Sequence, residues 1–253
     1  FKLLLLFEDL EKEILYDIKP KVILHCAVAH PFSKKSEYID YLNSNINALK
    51  NTIEFSNKNN VKKFFYLSSV KIYGNIHDRI LKDKNIFIEP DILGATKILS
   101  EKIVSLQKFK YFNMRLPGVL CYNNSDDNRP WLNSIITSLI QNKDIEIFNS
   151  QSLFNNIVDT KEIFDFINFI ISLKDSKSSS FNFSASKPVK LKNLVEYIRN
   201  RLLSESRVFY NSKKTNNFII STNKVSQNYK YNIKTTKVII DRYIDNIIKI
   251  NGN

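Results

Sequence analysis

Two adjacent hydroxyls and one lysine carry the chemistry this sequence offers. Ser68-Ser69 closes the apolar run Phe64-Phe65-Tyr66-Leu67 and is followed by Val70-Lys71-Ile72-Tyr73-Gly74. Lys97 stands near the start of a second apolar-periodic segment, behind Glu89-Pro90-Asp91-Ile92-Leu93-Gly94. Hydroxyls at the carboxyl end of a buried parallel strand sit where open α/β sheets bind ligands. Residues i and i+4 share a helix face, so Leu93 and Lys97 should point the same way.

The elements that would hold these groups alternate in type. Leu3 to Phe7 and Val22 to Ala27 read as buried strands, with a short helix from Glu11 to Tyr16 between them. A helix is expected from about Ser36 to Asn57, with Leu42, Ile46, Leu49 and Ile53 as its apolar stripe. The strand that ends in Ser68-Ser69, the Lys97 helix and a strand through Tyr111 to Leu120 complete a β-α-β-α-β-α-β order. That order predicts a doubly wound parallel sheet over residues 1–122.

Beyond the polar break Asp126-Asp127-Asn128-Arg129-Pro130, helices are expected from Trp131, Lys161, Leu191 and Thr236, with short strands between them. Residues 123–253 therefore form a smaller α/β part that would bind substrate, with about 155–172 packing back on the first domain. Asp159 and Glu162 sit where carboxylates suit the start of a helix.

Composition sets the outer bounds. With 43% hydrophobic and 25% charged residues the chain has enough apolar material to bury a core. Only four glycines occur, Gly74, Gly94, Gly118 and Gly252, and no two lie close enough to build a phosphate-cradling loop. Thirty-eight basic against 25 acidic residues give a formal charge of +13. The lysines are spread along the whole chain, which reads as compositional bias, with neither nucleic acid nor membrane as a partner. Cys26 and Cys121 close apolar runs and read as buried free thiols of a reducing, cytoplasmic compartment. His25, His30 and His77 lack metal-ligand spacing, so no metal is expected.

The stretch from Ser68 to Lys97 resembles the active-site core of the extended short-chain dehydrogenase/reductases, the NAD-dependent epimerase/dehydratase family that acts on nucleotide sugars. That family reads S-S-x-x-x-Y-G, then Y-G-x-x-K with a glutamate soon after. The resemblance runs in order through nearly the whole chain and implies an incomplete Rossmann-like fold. It places Ser69 and Lys97 as catalytic residues, with Ser69 and Arg115 as substrate contacts. Asp9, Leu10, Ala27, Ala29, Asn45 and Lys97 fall on cofactor-binding positions for NAD or NADP. A nucleotide-diphosphate sugar is the implied substrate, and a homodimer the implied assembly. The family's glycine-bearing first βαβ unit should precede Phe1 by roughly fifty residues, so the chain is expected to be a fragment or a short form, with weak dinucleotide binding by itself.

One departure from the pattern bears directly on the chemistry. The family's tyrosine, four residues before the lysine, is the general acid/base, and Leu93 stands there instead. Leucine neither titrates nor donates a proton. Two readings stay open: an NAD(P)-dependent nucleotide-sugar epimerase or dehydratase of surface-polysaccharide or sugar biosynthesis, or a non-catalytic relative that binds sugar nucleotides or partners.

Overall fold

The structure, a computed structural model, describes residues 19–29, 37–121, 130–211 and 217–251. In chain order the elements begin with strand β1 (Val22–His25), helix α1 (Tyr38–Tyr41), a π-helical segment (Leu42–Asn47) and helix α2 (Ala48–Lys58). Strand β2 (Lys63–Ser69), a 3-10 turn (Val70–Tyr73), β3 (Ile80–Leu81), α3 (Ile92–Ser105), β4 (Lys110–Leu116) and β5 (Gly118–Leu120) follow. Then come α4 (Pro130–Ile140), β6 (Ile145–Ile147), β7 (Leu153–Phe154), β8 (Ile157–Asp159), α5 (Thr160–Ser172) and β9 (Ser179–Asn182). The last elements are β10 (Val189–Lys190), α6 (Leu191–Arg201), β11 (Val208–Tyr210), β12 (Ile219–Ile220), α7 (Asn223–Tyr229) and α8 (Thr236–Asn251). The expected strand Leu3–Phe7 and helix Glu11–Tyr16 lie outside the described residues, as do Asp9, Leu10 and His30.

Two compact units divide these elements. The first takes the described residues up to Asn75, with Asp83–Arg115 and Ile167–Asn182. Its sheet has the order β1-β2-β4-β9, with β1 parallel to β2 and β4 parallel to β9. Under α2 and α3 its core gathers Leu49, Ile53, Phe64, Tyr66, Val104 and Phe109. Burial of aromatic and aliphatic side chains on this scale is the main stabilising term of such a layer. Phe65 and Phe112 stack at 4.8 Å between neighbouring strands.

The second unit takes Ile76–Lys82 and the described residues of Leu116–Phe166 and from Phe183 onward. It carries four two-stranded ladders, of which β5-β8, β11-β6 and β12-β3 are parallel and β10-β7 antiparallel. Leu132, Ile136 and Leu139 of α4, Leu194, Val195 and Ile198 of α6, and Ile240 and Ile244 of α8 share one core. Asp159 caps the start of α5 by accepting from Glu162 N at 2.7 Å, and Arg242 sits beside both carboxylates.

Three expectations are corrected here. The helix stripe was expected to start on Leu42, but Leu42 is exposed and Tyr41 is buried. The π-helical segment, in which each bond spans one residue more, sets which side chains turn inward, and Asn45 is among them. The thiols are not buried: Cys26 is exposed and Cys121 partly so, each lying one residue beyond the strand whose apolar run it closes. Finally, the segment grouped with the first unit is Ile167–Asn182, because β9 pairs with β4 and extends the sheet.

Candidate functional site

Strand β2 delivers its two terminal serines to different tasks. Ser68 is buried and its Oγ donates to Glu101 Oε1 at 2.6 Å. Ser69, one residue on, caps the 3-10 turn, its Oγ accepting from Lys71 N at 3.2 Å. The turn ends at Gly74, whose φ of 62° belongs to the left-handed region that favours glycine. A Cβ there would lie 1.9 Å from the Ile88 carbonyl oxygen, so only glycine admits this crossing.

Helix α3 is held against that turn. Asp91 caps it by accepting from Gly94 N at 2.8 Å. A Cβ on Gly94 would lie 2.4 Å from Lys71 O, so the bare glycine is what lets the helix backbone approach the turn. One turn further on, Lys97 is buried and donates from Nζ to the carbonyl oxygen of Leu67 at 2.8 Å, with its ammonium 4.6 Å from the centre of the Tyr66 ring. Burial lowers its pKa to about 8, against smaller opposing effects of Cys26 and Glu101. Leu67 is two residues before Ser69, so the Lys97 ammonium and Ser69 belong to the same strand end.

Leu93 is buried with Tyr41 and Ala29 in a small apolar cluster. Asn45 ties the same region together: its Oδ1 accepts from Ala29 N at 2.9 Å, and its Nδ2 donates to Thr96 Oγ1 at 2.9 Å. The exit of β1 is thereby fixed to α3. Ala27 lies partly exposed on the same exit.

Beneath this strand end runs a buried polar network. Arg115 donates from Nη2 and Nε to Glu101 at 2.8 and 3.0 Å, and from Nη1 to Tyr73 OH at 2.9 Å and Asp83 O at 3.0 Å. Tyr73 OH in turn donates to Asn182 Oδ1 at 2.8 Å. Burial, moderated by Arg115, pushes the Tyr73 pKa up to about 12, so the phenol stays neutral. Four of the five guanidinium N–H groups of Arg115 are engaged inside the unit. Among the described residues no group of three or more His, Cys, Asp and Glu side chains converges as a metal site.

The model of the NAD dependent epimerase/dehydratase family matches residues 5–182, more than half of the chain. The chain belongs to this family. Protein CapI of Staphylococcus aureus is 23% identical over 232 residues, covering 81% of this chain and 67% of that protein. The UDP-glucose 4-epimerase of Thermotoga maritima, solved with UDP-glucose, superposes with a TM-score of 0.75 at 16% identity, over 96% of this chain and 82% of its own. The UDP-glucuronic acid 4-epimerase of Bacillus cereus, solved with NAD, gives 0.71 at 14% identity, over 93% and 76%. At such identities these structures establish the shared fold.

Within the family frame, the positions expected from sequence divide into two groups. Lys97, Ser69, Ala29 and Asn45 gather around the ends of β1 and β2. Arg115 belongs to the core network, where the N–H left over is the one it could offer a ligand. Sequence reasoning missed Tyr41, which ends α1 four residues before Asn45 of the π-helical segment that continues it, and which packs on Leu93. That i, i+4 spacing was its only signal.

Proposed function

We propose that this chain is a nucleotide-sugar epimerase/dehydratase homologue of surface-polysaccharide or sugar biosynthesis that keeps the ligand-holding frame and lacks the proton carrier. The observation that carries this reading is Leu93, buried against Tyr41 and Ala29 one turn before Lys97. NAD or NADP, when bound, supplies a hydride acceptor and donor. The residues fit a dinucleotide ribose in one respect: among the described residues the buried Lys97 ammonium donates a single hydrogen bond, leaving two N–H groups for hydroxyls. Ser69 offers a hydroxyl to the oxygen of a bound sugar, and the Ala27–Ala29 exit offers small side chains beside the cofactor. Asp9 and Leu10, outside the described residues, match the family's adenine-contacting pair by sequence alone. The proton that a sugar hydroxyl would release as its hydride passes to the cofactor has no titrating group at position 93 to take it.

The assembly we propose is a homodimer. Helices α1 and α3 pack on each other and expose Tyr38, Ile39, Ile92 and Leu99, an apolar face suited to a second copy. A cytoplasmic location suits Cys26 and Cys121, which form no disulfide.

Calorimetry with UDP-glucose and UDP-glucuronic acid tests the reading, together with turnover assays supplied with NAD. Binding without turnover, and measurable turnover after Leu93→Tyr, is the expected result. General acid/base catalysis contributes ~10²–10⁴-fold. Turnover with Leu93 in place would overturn the missing-carrier reading, and absence of any sugar-nucleotide binding would overturn the retained frame.

A further inference from the structure

The edge of the first unit's sheet opposite the serine–lysine site is lined with lysines that the sequence shows only as scattered residues. Lys19 and Lys21 precede β1, and Lys58 and Lys62 precede β2. Lys108 leads into β4, whose first residue is Lys110, and the connection 173–178 ahead of β9 holds two more. Backbone bonds bring these starts side by side: Lys62 N donates to Lys21 O at 2.9 Å, and Lys110 N donates to Lys62 O at 2.9 Å. Asn57 Nδ2 donates to Gln107 Oε1 at 3.1 Å and joins two of the connections. Among the described residues around these four strand starts eight lysines are exposed, and the carboxylate among them is Asp175, 3.3 Å from Lys110.

The bland explanation is that these lysines offset the negative ends of α2, α3 and α5, which finish at the same edge. Some lysines do that: Lys58 and Lys102 stand in the last turns of α2 and α3. Lys63 donates from Nζ to Ile170 O at 2.6 Å, Ile171 O at 3.2 Å and Leu173 O at 2.7 Å, all at the end of α5. Each helix end carries roughly half a negative charge, so three of them balance a small part of the charge that Lys19, Lys21, Lys62, Lys108 and Lys174 present.

We propose that this edge docks on the headgroups of an anionic lipid bilayer, seating the chain on a membrane surface. No described helix is long and apolar enough to cross one, so the contact is peripheral. The chemistry of the edge favours lipid over nucleic acid. Its cations are all lysine, flexible point charges suited to a diffuse anionic surface, whereas phosphate-and-base readers favour the bidentate guanidinium. Phe109, the aromatic residue in the α3–β4 connection, is buried in the core and offers no base a stacking face. In that connection Leu106 stands 69% exposed beside Lys108, an apolar contact for the interface between headgroups and acyl chains.

Sedimentation of the 253-residue chain with vesicles tests this. Binding to phosphatidylcholine vesicles containing phosphatidylglycerol, absent with phosphatidylcholine alone and weakened by salt, is expected. Lys62→Glu/Lys108→Glu should weaken it by roughly thirtyfold or more, since each juxtamembrane lysine contributes about one power of ten or slightly less. Lys143→Glu/Lys249→Glu, an equal charge change in the other unit, should leave it within about twofold. If the first pair perturbs folding, Lys108→Gln alone should still weaken binding several-fold. Equal loss in both paired variants would overturn the assignment in favour of net charge, as would no binding to anionic vesicles. Tighter binding to a DNA or RNA duplex than to the vesicles would overturn it in favour of nucleic acid.

Discussion

Lys97 holds its ammonium 2.8 Å from the main-chain oxygen of Leu67, inside the unit and 3% exposed. One hydrogen bond and a ring face satisfy a buried cation poorly, and removing such a charge is often neutral or stabilising. Lys97→Met should therefore leave the ligand-free protein as stable as the parent or more so, by up to about 2 kcal/mol, while weakening dinucleotide and sugar-nucleotide binding. Thermal unfolding and calorimetry on the same variant check both halves. A large loss of stability would make Lys97 a structural residue.

Arg115 and Glu101 should behave in the opposite way. Arg115→Met leaves a buried carboxylate with Ser68 as its remaining side-chain donor, a loss of about 3–5 kcal/mol. Glu101→Leu/Arg115→Met should recover most of that loss, because neither charge is then stranded. Denaturant unfolding of the two variants decides it. A cost below about 1 kcal/mol for Arg115→Met together with impaired ligand binding would move Arg115 from the core to the substrate.

Acid should weaken the fold through His25. Its Nδ1 lies 3.2 Å from Thr52 Oγ1, whose own proton goes to Ala48 O at 2.7 Å, so Nδ1 is the donor. Burial first, and Lys97 second, lower its pKa from 6.5 to about 4. The unfolded chain takes up a proton as pH falls below 6.5 while the folded chain resists until about 4, so stability is lost across that window. Between neutral pH and about pH 5 the loss should be on the order of 2 kcal/mol. His25→Phe should remove this part of the pH dependence; an unchanged profile would show that His25 is not its source.

Gly94→Ala tests how closely α3 is seated. Alanine favours helix by about 1 kcal/mol, yet its Cβ would meet Lys71 O at 2.4 Å and Pro90 Cβ at 2.9 Å. Overpacking of this kind costs about 1–3 kcal/mol, so net destabilisation is expected, read as a fall in Tm. A rise in Tm would mean that the helix and the 3-10 turn separate easily.

Local order in the sequence was enough for the alternation of strands and helices. Side-chain periods of two and about 3.6 are set by backbone geometry within a few residues. The hydroxyl pair, the lysine one turn beyond Leu93, and the glycine between them were legible for the same reason. What lies opposite what was not. Nothing near Arg115 in the chain names Glu101 as its partner, and nothing near Leu93 announces Tyr41 except a spacing that many helices share. The lysines show the difference most clearly. Along the chain they look dispersed, but helical crossovers return parallel strands to the same side of a sheet. Lysines ahead of β1, β2, β4 and β9 are thereby collected on one edge, and only strand order and direction decide that.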